Sequence, residues 1–383
     1  MKGKIPVLAW YFPNWHPDPR NDELHGKGWT EWEVVKCARA RFEGHEQPNV
    51  PLWGYEDESD PAVMEKKIDA ALAHGIDGFL WDIYWFEDGP YRFGALDRGF
   101  FGAKNNAKCK IALMWCNHDH GYSHPASRLS AKDALRAENP TLRTMVGNLS
   151  PQAIYNGTEY YIQQYFWREN YLRIDGKIYF VFWDLNMLLT SLGGVQGVRL
   201  VMDDFRRRVR EAGLGELYLA TEHTHIKGYG EGDRAKFNDT LRACGFDGCV
   251  RYGWPLRGDM FPAEPYELFV EEGLKTFQRD TSLCDLPMNI TVSSGWDSSP
   301  RTVQSEVYEP VGYPWSTVVT GSTPEKYEKA LRAAKEFAQS DAFTGHFVTL
   351  TTWNEWTEGN YLEPSERYGY GYLEAVKRVF GQE

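Results

Sequence analysis

Short apolar runs of five to eight residues return along the chain at 5–11, 76–83, 109–115, 178–183, 217–221, 248–252, 288–292 and 347–352. They show little alternation of apolar and polar residues, as expected of parallel strands buried on both faces. Amphipathic stretches with helical spacing lie between them, at 61–74, 151–168, 197–212, 265–279 and 324–339. Pro61 and Pro324 stand where a helix tolerates proline, with Asp60 and Thr323 as caps before them. Eight strand signals alternating with helices predict an α/β chain folded as a single (β/α)8 barrel over residues 1–383. A doubly wound open sheet is the alternative, but no GxGxxG loop follows the first run. The connections are unequal. Long ones follow the first strand (13–60) and the third (117–175), on the side where barrels build their sites.

Composition narrows the function. The net charge of −12 argues against nucleic acid, which draws on concentrated Lys and Arg. No apolar run is long enough to span a membrane. The N-terminus has no signal-peptide core, so a cytoplasmic protein is expected. The cysteines, at 37, 109, 116, 244, 249 and 284, form no CxxC pair and are expected to be free thiols. Asn148, Asn156, Asn238 and Asn289 each open an Asn-X-Ser/Thr triplet, taken as chance matches without a secretory signal. A large aromatic core takes most of the 15 Trp and 22 Tyr, but many stand beside acids at strand ends, where core packing explains them less well. That placement predicts a carbohydrate partner; the oligomeric state is not legible.

Thr351-Thr352-Trp353-Asn354-Glu355-Trp356-Thr357-Glu358-Gly359 ends the last apolar run with two glutamates three residues apart between tryptophans. Paired carboxyls can give and take a proton around a glycosidic bond, and indole faces stack on sugar C–H surfaces. Glu355 and Glu358 are therefore the predicted catalytic pair. The other strand ends supply the predicted substrate contacts. These are Tyr11, Trp15 and His16; Asp82, Tyr84 and Trp85; Asn117 and His118; Glu222 and His223; Arg251 and Tyr252; Trp296 and Asp297; and Asn354 and Trp356. His118-Asp119-His120 has the residue types of a metal site but lacks a third separated ligand, so no metal and no cofactor is expected. Asp82 reads as a sugar-binding acid or a buried, satisfied carboxylate. Glu222 and His223 read as an acid–base pair or a hydrogen bond beneath the site. Cys116 reads as a core thiol rather than a nucleophile. No GxSxG elbow, P-loop or HExxH helix occurs.

The C-terminal motif, followed by Tyr361-Leu362-Glu363-Pro364, resembles that of glycoside hydrolase family 99, the endo-α-mannosidases. It resembles more closely the family 99-like proteins of bacterial polysaccharide clusters, often labelled WbsX-like glycosyltransferases. Trp10-Tyr11-Phe12-Pro13, Gly26-Lys27-Gly28-Trp29-Thr30-Glu31-Trp32, Gly75-Ile76-Asp77-Gly78-Phe79 and Gly295-Trp296-Asp297-Ser298-Ser299-Pro300-Arg301 extend the likeness along the chain. The resemblance implies a (β/α)8 barrel acting on α-linked glycans with retention and without a metal or organic cofactor. It implies Glu355 as the base that deprotonates the sugar's 2-hydroxyl, and Glu358 as general acid and then base. Thr357 stands where the hydrolases carry His, and Asn117-His118-Asp119-His120 where the cluster proteins carry Asn-Glu-Asn-Trp. Ile83 stands where those cluster proteins usually place His. These departures leave the sugar open. The leading expectation is a retaining glycoside hydrolase. The rivals are a polysaccharide glycosyltransferase, for which no DxD loop or basic diphosphate cluster is present, and a non-catalytic glycan-binding barrel.

Overall fold

A computed structural model describes residues 4–120, 124–129, 145–224 and 233–381. The predicted runs form β1 (Val7–Tyr11), β2 (Gly78–Phe86), β3 (Lys110–Trp115) and β4 (Lys177–Phe182), then β5 (Leu217–Glu222), β6 (Gly248–Val250), β7 (Met288–Ser293) and β8 (Val348–Thr351). Each pairs in parallel with the next, and β8 pairs with β1, closing the expected (β/α)8 barrel. The helical layer comprises α1 (Pro61–Ala73), α2 (Pro151–Gln164), α3 (Val195–Glu211), α4 (Arg234–Cys244), α5 (Tyr266–Leu283), α6 (Pro324–Gln339) and α7 (Gly371–Phe380). A short helical turn at Ala95–Phe100 takes the helix position between β2 and β3. The caps sit where the sequence puts them: Ala62 N–H donates to Asp60 at 2.8 Å, and Lys326 N–H to Thr323 at 3.4 Å.

Strand parity decides what the barrel can use. Leu8, Trp10 and Phe12 of the first strand face the barrel lumen with Leu80, Tyr84, Ala112, Met114, Tyr179 and Val181. Val7, Ala9 and Tyr11 alternate with them and pack outward against the helices, beside Phe79, Trp81, Ile83, Leu113 and Trp115. Because both faces are apolar, composition alone does not separate lumen from helix layer. Gly157 on α2 marks how close the outer packing is: a Cβ there would lie 2.8 Å from the Trp115 ring. Of the two predicted long connections, the one after β3 lies partly outside the described residues. Among the described residues, no helix is long and apolar enough to cross a membrane.

Candidate active site

After β8 the chain doubles back. Asn354–Glu355 pairs antiparallel with Asn360–Tyr361, and one helical turn, Trp356–Glu358, joins them. Gly359 sits at φ +58°, and a Cβ there would meet the Asp297 Cβ at 2.6 Å, so the turn requires glycine. Asp297 N–H donates to the Glu358 carbonyl at 2.5 Å, fixing the turn's end. The result aims Glu355 and Glu358 into one cavity of about 890 Å³ at the C-terminal ends of the strands.

One guanidinium organises the pair. Arg301 Nη2 donates to Glu355 Oε1 at 2.5 Å, and Nη1 donates to Glu358 Oε1 at 2.5 Å. Arg301 Nε donates to Glu31 Oε1 at 3.0 Å, and the Thr357 hydroxyl donates to the same oxygen at 2.5 Å. Tyr313 donates its hydroxyl proton to Glu358 Oε1 at 2.8 Å. Three buried carboxylates thus share one arginine, and they do not share it equally. Burial works against ionisation of Glu31, but Arg301, His124 and Arg92 outweigh it and hold the carboxyl down at about 2. Burial raises Glu355 well above the usual carboxylate range despite Arg301, and Glu358, Glu31 and Asp82 add to the rise. Burial also raises Glu358, opposed by Arg301 and by the Tyr313 hydrogen bond. The short ion pairs and the raised values are compatible because burial and the crowding of Glu31, Glu355, Glu358 and Asp82 around one guanidinium outweigh its attraction for the pair.

Asp82 and Tyr84, of lumen parity on β2, line the same cavity. Asp82 Oδ1 is buried without a hydrogen-bond partner, and burial, then Glu358, raises the carboxyl well above its usual range. His118, His223, Arg251, Tyr252 and Trp296 also line it. Arg251 Nε donates to Asp280 at 2.5 Å, and His223 Nε2 lies 3.4 Å from the same carboxylate.

The remaining predicted contacts are placed elsewhere. Tyr11 stacks on Trp81 at 3.9 Å in the helix layer, and Trp85 packs on Tyr160, both because of outward parity. Trp15 packs on Trp32 at 4.0 Å, and His16 is buried against Gly94, where burial lowers its pKa to about 4. Asn117 bridges strand ends, donating to Asp184 O at 2.8 Å. Glu222 accepts from Thr224 N–H at 2.9 Å and Tyr252 N–H at 3.3 Å, supporting the wall from beneath. Asp297 is engaged by His45 at 2.8 Å and Gln47 at 2.6 Å. Asn354 clamps Phe12 through its backbone N–H and carbonyl, each at 2.8 Å. Trp356 donates to Glu363 at 2.7 Å and stacks on Tyr361 at 3.7 Å, away from the cavity. These residues hold the site rather than face it.

Sequence reasoning passed over Arg92, Trp183, Tyr313 and the central place of Arg301, all on the cavity wall. Arg92 is ringed by Phe12, Tyr84 and Tyr91 at 4.9, 4.8 and 4.5 Å. The lumen parity of Trp183, in step with Tyr179 and Val181, was the one readable signal among them. Among the described residues, no group of three or more His, Cys, Asp or Glu could hold a metal ion.

The chain is a closed (β/α)8 barrel with clustered carboxyls at its C-terminal mouth. The model of the family described as "Glycosyltransferase WbsX" matches residues 7–376, and the chain belongs to that family. An uncharacterized protein WxcX from Xanthomonas campestris pv. campestris strain B100 is 24% identical over 97% of this chain and 49% of its own length. The chain therefore spans about half the length of the curated relatives it matches. A solved glycoside hydrolase-like protein superposes with a TM-score of 0.61 at 15% identity, covering 100% of this chain and 95% of its own. The family 99 endo-α-mannosidase from Bacteroides thetaiotaomicron gives 0.57 at 14% identity, covering 98% and 95%. At such identities the likeness to solved structures is one of fold.

Proposed function

We propose that the chain is a retaining glycoside hydrolase acting on an α-linked oligo- or polysaccharide. The observation that carries this reading is the single guanidinium of Arg301 spanning Glu355 and Glu358 in a large cavity. One arginine reaches both carboxyls only if they are neighbours, so an acid and a base can act together on one sugar residue and its glycosidic oxygen. Burial and mutual repulsion raise both carboxyls, which favours a shared proton, so one member gives a proton while the other accepts one. In the reaction, Glu358 protonates the leaving oxygen and Glu355 takes the proton of the sugar's 2-hydroxyl as that oxygen attacks C1. The Tyr313 hydrogen bond goes to Glu358 alone, which favours the proton on Glu355. Substrate must therefore redistribute it, its 2-hydroxyl hydrogen-bonding to Glu355 as the leaving oxygen meets Glu358. Trp296, Tyr252 and Trp183 offer the stacking faces.

The roles separate experimentally. With a glycosyl substrate whose leaving group needs no protonation, Glu358→Gln keeps most of the wild-type rate of its first step while Glu355→Gln stays inactive. The opposite pattern assigns the acid to Glu355, and full activity of both variants overturns the hydrolase reading. Tyr313→Phe removes the donor that eases Glu358 ionisation. Its alkaline limb of kcat/KM moves to higher pH; an unmoved or lowered limb rules out Glu358 as the acid.

The second reading, a glycosyltransferase, rests on the family's description. A nucleotide diphosphate would need cations; Arg251 and Arg301 are already engaged by Asp280 and by the three glutamates, which leaves Arg92, 4.0 Å from Glu31, as the less committed cation on the wall. Thermal stabilisation by a nucleotide sugar, absent with free glycans, would favour that reading.

A further inference from the structure

Cys249 and Cys284 have their sulfurs 3.3 Å apart in the interior, closer than non-bonded sulfurs normally approach. Three of the other thiols behave differently. Cys37 is exposed, and Cys109 and Cys116 point to backbone carbonyls at 3.7 and 3.9 Å. We propose that Cys249 and Cys284 form a disulfide, a modification site that ties β6 to the C-terminal end of α5. Closing to bonding distance takes about 1.3 Å.

Both partners are held for it. Cys249 has outward parity on β6, and its N–H donates to Pro287 O at 2.8 Å. Cys284 N–H donates to Asp280 O at 3.0 Å, and Asn238 grips the same corner by donating to Leu283 O at 2.9 Å and accepting from Asp285 N–H at 2.7 Å. Loss of the thiol protons therefore leaves the sulfurs facing one another with little chain movement. Cys284, the less completely buried of the two, is the attacking thiol, and the hydrogen bond it shares with Cys249 lowers its pKa against burial.

The oxidant is a small disulfide such as oxidised glutathione. The Cys284 thiolate attacks one of its sulfurs, forming a mixed disulfide and releasing one glutathione thiolate. The Cys249 thiolate then attacks the Cys284 sulfur and releases the second. Two protein thiols are oxidised and one small disulfide is reduced to two thiols. The bond has a consequence at the cavity. Asp280 lies one helical turn before Cys284 and holds Arg251 on the cavity wall, so the cross-link pins the helix end that sets this wall.

The test uses the Cys37→Ser chain, which removes the exposed thiol. It is incubated with oxidised glutathione either native or while refolding from denaturant, so access to the interior is not limiting. Before alkylation the expected product is lighter by two hydrogens than the dithiothreitol-treated protein, and after alkylation in denaturant it carries two fewer alkyl groups. It yields one linked peptide pair containing Cys249 and Cys284, and it melts at a higher temperature than the reduced form. In Cys249→Ser and in Cys284→Ser the linked peptides and the melting difference are lost. An unchanged thiol count in both arms, glutathione adducts in place of the cross-link, or a cross-link through other cysteines overturns the proposal.

Discussion

Glu355→Gln and Glu358→Gln each lower kcat toward the glycan by about 10²–10⁴-fold, the range that a positioned acid or base supplies. Glu355→Gln does so without lowering the melting temperature at neutral pH. The sign follows from the raised pKa of Glu355. A carboxyl whose folded pKa lies above its unfolded value stabilises the fold fully only below the unfolded value, and that contribution is lost as pH rises through the folded one. Glutamine keeps the neutral form at every pH, so the variant escapes the loss. Under the proposed roles activity and stability are opposed at this position, as in other sites built on crowded charge. Initial rates together with melting curves at neutral pH check both halves. Wild-type rates would remove Glu355 from the chemistry. A large drop in melting temperature would make its carboxylate a structural ion-pair partner of Arg301 instead.

The barrel was legible because eight apolar runs alternating with amphipathic stretches leave little choice of architecture. The lining of the candidate cavity was legible in part, and strand parity explains the division. Asp82 and Trp81 are neighbours, yet one lines the cavity and the other stacks on Tyr11 outside the lumen. In a strand apolar on both faces no polar alternation tells these sides apart, so Tyr11 and Trp85 read as well for the mouth as Tyr84 did. Trp15, Asn354 and Trp356 sit beside the site in sequence and serve it from behind. A second network shows how: Lys67 on α1 lies 2.5 Å from both Glu58 and Glu363, which accept from Asn354 and Trp356, the neighbours of Glu355. The charges that set the glutamates' ionisation could not be read from spacing. Glu31 and Arg301 come from connections after β1 and β7 and meet only in the folded chain.

Arg301→Met destabilises the fold by about 3–5 kcal/mol at neutral pH, because it strands buried carboxylates that had one shared partner. The loss is itself pH-dependent, through Glu31. With Arg301 present, the Glu31 pKa lies near 2 against a usual 4.5. A depressed carboxyl stabilises the fold above its unfolded pKa and loses that contribution as pH falls through the folded one, here between about 4.5 and 2. The shift corresponds to about 3 kcal/mol. Without the guanidinium, burial dominates at Glu31, its pKa rises, and acid relieves the variant instead of weakening it. The stability gap between wild type and Arg301→Met therefore narrows as pH drops below about 4.5. Arg301→Lys, which keeps the charge but not the fork that reaches three carboxylates at once, falls between them. Urea melts of the three proteins from pH 7 to pH 3 test this, and a gap constant with pH would mean that Arg301 stabilises by packing and not by holding Glu31 ionised.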